Sequence, residues 1–215
     1  MLTNEELEKL ISEAEAGDAW AQNELGFFYS EEASPKDEKK ALYWYQKSAE
    51  QGYEVAQYNL ALCYDRGEGT EPDISKAAHW YEKAAVLGHP HAQYCLAVCY
   101  DEGDGVEKDE RKAAFWYQQS AAQGDTDAMD NLGVCYCHGT GVRKSFRKAI
   151  ALFRKAAHKG HAHAMFNWGV CYENGESVSE NLKKAIELYE KAAALGDEDA
   201  AEALIRLKDN KEESL

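Results

Sequence analysis

The sequence predicts an all-α solenoid built from helix-turn-helix repeats, and three observations carry that prediction. Gly52, Gly88, Gly124, Gly160 and Gly196 follow one another at 36-residue steps, so one unit is written again along most of the 215 residues. Within a unit, Ala92, Leu96, Cys99 and Tyr100 fall at i, i+4, i+7 and i+8, and Ala113, Tyr117, Ser120 and Ala121 do the same, giving two helical stripes. Only 3 prolines occur, as suits a mostly helical chain. A lone hairpin of this size cannot bury its apolar face, so each copy must be covered by the next.

Each unit thus holds a first helix, A, and a second, B. In the stretch from Ala92 to Gly124, Gly103 and Gly105 interrupt helix A, and Asp109 stands where a side-chain oxygen would cap helix B. Helix B then runs from about Glu110 to Gln123 and ends at Gly124, a residue suited to the left-handed conformation just past a helix. In chain order, Thr3 to Gly17 reads as a solitary capping helix, with Thr3 and Glu6 as a capping box and Leu7, Leu10, Ile11 and Ala14 as its stripe. Five repeats follow over 18–52, 53–88, 89–124, 125–160 and 161–196. A closing helix over 197–208 and a polar tail over 209–215, expected to fray, complete a single solenoid domain, 1–215. The first repeat is irregular: its loop, SEEASPK, lacks both glycines.

Equivalent slots can be read across the copies. On helix A the leucine slot holds Leu25, Leu60, Leu96, Leu132 and Trp168, and the small slot after it Gly26, Ala61, Ala97, Gly133 and Gly169. A tyrosine slot follows with Tyr29, Tyr64, Tyr100, Tyr136 and Tyr172. Helix B carries Trp44-Tyr45, Trp80-Tyr81, Trp116-Tyr117, Leu152-Phe153 and Leu188-Tyr189. Its cap slot holds Asp37, Asp73, Asp109, Ser145 and Asn181, all good N-cap residues.

Composition narrows the function classes. A net charge of −15 sets an unfavourable field for phosphate, and the basic cluster Arg143 to Lys148 is confined to one repeat without interleaved aromatics, so no nucleic-acid partner is expected. No run approaches the roughly 20 apolar residues of a membrane span. The N-terminus, MLTNEELEKLISEAEAG, is acidic and amphipathic rather than basic then apolar, which points to the cytoplasm unless a signal segment preceded it. The oligomeric state is not legible, and a monomer is the default.

The pattern Ala-x-x-x-Leu-Gly-x-x-Tyr-x-x-Gly-x-Gly-Val, as in Ala128 to Val142, and then Lys-Ala-x-x-Trp-Tyr-x-Lys-Ala-Ala-x-x-Gly, as in Lys76 to Gly88, resembles the Sel1-like repeat family, a relative of the tetratricopeptide repeats. A plain tetratricopeptide repeat has roughly 34 residues; the longer unit here, with its Gly-x-Gly turn, favours the Sel1-like assignment. The resemblance implies an α/α right-handed superhelical solenoid of TPR-like helix-turn-helix repeats with A helices on the concave side. It also implies a protein-interaction role without catalytic residues or cofactors. The cysteine-rich branch of the family closes each hairpin with a second cysteine near the end of helix B, where Ala49, Ala85, Ala121 and Ala157 stand here, so those disulfides cannot form.

Four cysteines, Cys63, Cys99, Cys135 and Cys171, share one slot and read as small buried side chains; residues one repeat apart are separated by roughly a helix diameter, too far for shared metal ligation. Cys95 and Cys137 fall off register, and Cys135-x-Cys137 is a faint metal signal. His89 and His161 share the helix-start slot with Asp125 and Asp197 and read as caps, so no metal site is assigned. Ser145 to Lys148 matches the Ser-x-x-Lys of penicillin-recognising enzymes, and some Sel1-like proteins are described as β-lactamase-like. A hydrolase is therefore the alternative to an interaction scaffold, although the other motifs of that class are missing.

Residues that vary between copies on helix A are the candidate partner-binding positions of the concave groove. They are Asn23, Tyr58, Tyr94, Asp130 and Phe166 in one row, with Val55, His91, Asp127 and His163 beside it. Asp65, Asp101 and Glu173 lie at the rim, where the fourth copy has Cys137 followed by His138. Aromatics beside carboxylates suit a basic or amphipathic protein segment. A second mode of binding would use the convex face with Trp44, Trp80 and Trp116. Asn59, Asn131 and Asn167 recur just before the leucine slot and are read as structural ties between repeats.

Overall fold

Short polar side chains start the helices at the expected slots. Thr3 and Glu6 form the reciprocal capping box. Asp18, His89, Asp125 and His161 accept the backbone N–H three residues on at the A helices, and Asp37, Asp73 and Asn181 do so at the B helices. Ser145 departs from this rule: its hydroxyl makes no capping bond, and the Lys148 N–H goes to the Ser145 carbonyl at 3.0 Å instead.

The computed structural model describes residues 2–176 and 180–212. Two compact units divide the chain, Met1–Asp109 and Glu110–Leu215. The first contains α1 (Asn4–Glu15), α2 (Ala19–Phe27), α3 (Glu38–Glu50), α4 (Glu54–Arg66), α5 (Ile74–Val86) and α6 (Pro90–Glu102). The second contains α7 (Glu110–Gln123), α8 (Thr126–His138), α9 (Phe146–His158), α10 (Ala162–Glu173), α11 (Leu182–Ala194) and α12 (Glu198–Glu212). Within each unit every helix packs on its neighbours in sequence, and no strand occurs among the described residues. The fold is the all-α repeat solenoid expected.

The recurring slots have direct physical causes. The rings of Tyr45, Phe153 and Tyr189 on helix B are buried and lie flat on the small slot of helix A. A Cβ on Gly26 would stand 2.7 Å from the Tyr45 ring, and one on Gly133 would overlap Phe153. On the same hairpins, the ammonium groups of Lys40, Lys76, Lys148 and Lys184 sit 4.9, 5.1, 4.9 and 5.2 Å from the ring centres of Tyr29, Tyr64, Tyr136 and Tyr172. Such a cation over a ring is worth about 0.5–1 kcal/mol when exposed. Between successive hairpins, the buried amides of Gln22, Gln57 and Gln93 donate to the carbonyls of Ala14, Ala49 and Ala85 in the last turn of the preceding helix, which also accept from the N–H of Gly17, Gly52 and Gly88. Within the first hairpin, the Ser48 hydroxyl donates to the Ala19 carbonyl at 2.5 Å.

Two turns differ from the regular pattern. Helix A of the first repeat runs into a π-helical turn, Phe28–Glu32, where the second, third and fourth copies use a left-handed glycine, Gly67 at φ +74°, Gly103 at φ +87° and Gly139 at φ +82°. That is the irregular loop without glycines. At the other end, α12 extends to Glu212. The rest of the expected tail, 213–215, lies outside the described residues.

Candidate protein-binding face

The A helices bring the sequence-predicted positions to their faces in different degrees. In the first unit Asn23 is 3% exposed and accepts from the Asn59 amide at 2.9 Å. In the second, Asp130 is equally buried and accepts from Asn167 at 2.9 Å. These two positions are therefore ties between A helices, as read for the asparagines, and are not presented to a ligand. Val55, Tyr58 and Tyr94 are half-buried, and His91 is exposed. The Tyr58 ring stacks on His89 with centroids 4.5 Å apart. Capping fixes that histidine: its Nδ1 accepts from the Ala92 N–H, and burial, then the nearby His91, holds its pKa below the usual value.

The rim carboxylates do work inside the hairpins. Asp65 accepts from the Tyr81 hydroxyl at 3.0 Å, and Glu173 accepts from Tyr189 at 2.6 Å and from Arg206. Burial raises both phenols above their ordinary range, and pushes Tyr45 up to about 12. Asp101 is half-buried. In the second unit exposed Asp127 meets His161 Nε2 at 2.9 Å, and His163 meets Asp197 at 3.1 Å with its ring 5.5 Å from Phe166. His138 is exposed.

Both histidine contacts join residues 34 apart. The same step joins Cys137 to Cys171, whose sulfur atoms lie within 4.8 Å of each other. The separation expected for residues one full repeat, 36 positions, apart does not apply to these pairs, which are 34 apart. Equal slots are one helix diameter apart, but helices in contact meet along a diagonal, and a residue two places on reaches its neighbour. Two groups, Cys137–Cys171–Glu176 and His163–Asp197–Asp199, accordingly gather metal-ligating atoms within 4.8 Å. The Cys135-x-Cys137 pairing is not the one brought together. Burial of the recurring cysteine slot is as expected: Cys63 and Cys99 are pushed up to about 12 by desolvation.

The hydrolase motif acquires another meaning. Lys148 lies over the Tyr136 ring, the place Lys40, Lys76 and Lys184 take in their own repeats, so its position in Ser-x-x-Lys follows from the repeat. The tryptophans of the B helices, Trp44, Trp80 and Trp116, are half-buried, each edge-on to the residue before it.

Two clefts carry exposed apolar surface. One, of about 470 Å³, lies between α10 and α12, with Phe166 and Val170 as its apolar wall and Glu173, Asp199, Glu202 and Arg206 around it. The other, of about 280 Å³, lies between α1 and α2 beside Trp20 and Phe27, which are 53% and 44% exposed. Sequence reasoning missed this pair, because both residues fall outside the repeated core slots.

The buried tie at Asp130 yields a prediction from the chain's own first repeat, where Asn23 fills the same slot. Burial raises the Asp130 pKa, partly offset by the Asn167 amide and by His163 and His161. A carboxyl raised in the folded state costs stability as pH rises through its unfolded and then its folded pKa, and costs nothing below both. Asp130→Asn keeps an acceptor for Asn167 and is expected to raise the urea midpoint at pH 7, with the gain vanishing in acid below the ordinary carboxylate range. A gain that persists unchanged at low pH, or a loss at pH 7, would contradict this.

The stacked hairpins define a tandem helical-hairpin repeat protein. Within that class the chain belongs to the Sel1 repeat family, whose repeat is matched at residues 21–53, 55–89, 90–125, 126–161 and 162–197. Sel1 repeat proteins bind other proteins and are typically non-catalytic scaffolds. The chain is similar to a protective antigen of uropathogenic Escherichia coli displaying an SLR fold, with 38% identity and a TM-score of 0.86, over 92% of this chain and 43% of that one. It is also similar to a Sel1 repeat protein from Oxalobacter formigenes, with 32% identity and a TM-score of 0.81, over 87% of this chain and 75% of that one. An F-box protein of Arabidopsis thaliana is 46% identical over 54 residues, which is 25% of this chain and 15% of that protein. The chain thus spans less than half the length of the antigen and of the F-box protein. No helix among the described residues is long and apolar enough to cross a membrane.

Proposed function

We propose that the chain is a cytoplasmic protein-interaction scaffold, acting as a monomer, whose A-helix faces hold a basic or amphipathic segment of a partner protein. The observation that carries this reading is the cleft between α10 and α12, where Phe166 offers an apolar wall beside the carboxylates of Asp199 and Glu202, while Glu173 is held by Arg206. A lysine or arginine stem packs on an aromatic ring while its charge reaches a carboxylate, which is the chemistry such a wall provides. Half-buried Tyr58 and Tyr94, with Val55, offer a similar mixture on the first unit. The net charge of −15 would speed the approach of a cationic partner.

Affinity capture from cell extract with mass spectrometry identifies partners, and fluorescence anisotropy with a labelled lysine-rich amphipathic peptide tests the site. Phe166→Ala and Glu202→Lys are each expected to weaken binding by about tenfold, within the range of interface hot spots. Added salt should weaken it further. Binding that ignores salt and both substitutions would reject the cleft, while retention of partners in the capture would keep the scaffold reading and move the site elsewhere.

A further inference from the structure

The fourth repeat departs from a pairing seen in the second and the fifth. In the second and fifth repeats a rim carboxylate of helix A accepts from the helix-B tyrosine, Asp65 from Tyr81 at 3.0 Å and Glu173 from Tyr189 at 2.6 Å. In the fourth, Phe153 has no hydroxyl and Cys137 takes the carboxylate's place. The two changes go together, and they leave a cavity of about 220 Å³ lined by Cys137, Cys171, Glu176, Phe153 and Lys144.

We propose that Cys137, Cys171 and Glu176 form a site for a thiophilic divalent cation, with zinc best matched to the ligand set. Their ligand atoms already lie within 4.8 Å of one another. Two thiolates at about 2.3 Å and a carboxylate at about 2.0–2.2 Å supply three corners of a tetrahedral zinc site, and a water completes the fourth. Softness selects against magnesium and calcium, which require oxygen ligands. Cys171 is 1% exposed on α10, and the turn after it is fixed by the Glu176 N–H donating to the Cys171 carbonyl at 3.0 Å, so two of the three ligands are preorganised together. Cys137 comes from α8, and the cation therefore clamps the fourth repeat to the fifth. On binding, the two S–H protons leave to solvent and two S–metal bonds replace them, without any change of oxidation state. Two thiolates and a carboxylate around a dication leave one negative charge, which Lys144 on the cavity wall offsets.

The test is cobalt titration of the tag-free full chain, reduced with a phosphine, read by the thiolate-to-cobalt charge-transfer and tetrahedral ligand-field bands. One equivalent is expected to bind and to be displaced by zinc. Cys137→Ser should lower cobalt affinity by at least about a hundredfold and Glu176→Ala by about tenfold, more than or comparable to the losses that outer-shell changes produce. Cys95→Ser should leave binding unchanged. Cys137 is only half-buried, and circular dichroism checks that its variant folds. Absence of the charge-transfer band in the reduced chain, or a band that survives Cys137→Ser, would overturn the proposal. Uptake of cobalt with ligand-field bands of octahedral oxygen and nitrogen ligation alone would overturn it too, pointing to the exposed His163 group instead.

Discussion

Tyr81→Ala is expected to lower the free energy of unfolding by about 3–5 kcal/mol, the range found when a buried aromatic is cut to alanine. Tyr81 is 2% exposed and among the largest fully buried side chains. Its ring and hydroxyl meet Tyr58 and Asp65 of α4, so the void opens between the two helices of the hairpin. Tyr81→Phe separates packing from polarity: it removes only the hydroxyl that donates to Asp65, and a loss of about 1 kcal/mol is expected. The fourth repeat already dispenses with that hydroxyl, since Phe153 fills the same slot at 2% exposure. Because a solenoid's stability is roughly a sum over repeats and their interfaces, the alanine variant should also unfold over a broader range of urea. Circular dichroism across the urea transition measures both effects. A loss below about 1 kcal/mol for Tyr81→Ala, or equal losses for the two variants, would show that the ring is not the keystone of its hairpin.

The repeated part of the design is legible because it is periodic twice over. Leu60 and Cys63 reveal themselves by helical spacing within a copy, and by recurrence as Leu96 and Cys99 in the next. Helix α7 falls at Glu110–Gln123, as the stripe and the flanking Asp109 and Gly124 specify. What the periods do not contain is the angle at which one helix lies on another. The diagonal that brings Cys137 to Cys171, and Asp127 to His161, is fixed by packing, and no spacing rule within one copy states it. Variation between copies is an equally incomplete guide to exposure. Asn23 and Asp130 vary as surface positions do, but each is buried beneath an amide from the following A helix. Asp65 and Glu173 read as groove charge, and the partner that occupies them, a tyrosine 16 residues on, lies in the other helix of the same hairpin. One trace of that pair is in the sequence: the repeat that loses the tyrosine hydroxyl at Phe153 also loses the carboxylate, at Cys137, while the first repeat keeps Tyr45 opposite a polar Ser30.

Gly105→Ala is expected to cost markedly more than Gly88→Ala, although both glycines have left-handed backbone, at φ +71° and +101°. At Gly88 a Cβ meets nothing within 4 Å, so alanine there bears only the conformational penalty, roughly 1–2 kcal/mol. At Gly105 the same penalty applies, and the added Cβ would also overlap the Ile74 carbonyl at the start of α5. That atom is backbone and cannot swing aside as a long side chain would; the loop must lift off the helix. Overpacking of this kind adds about 1–3 kcal/mol, so the total for Gly105→Ala is about 2–5 kcal/mol. The loop of the third repeat rests here on helix B of the second, as Gly69 rests on Glu38 one repeat earlier. The second glycine of these turns, at Gly69, Gly105 and Gly141, is therefore a coupling between neighbouring repeats, whereas a Cβ on Gly88 would meet no neighbouring repeat. Urea unfolding of the two variants measured side by side decides the matter, and equal losses would mean that the contact with Ile74 relaxes without cost and that coupling between these repeats lies in the helices alone.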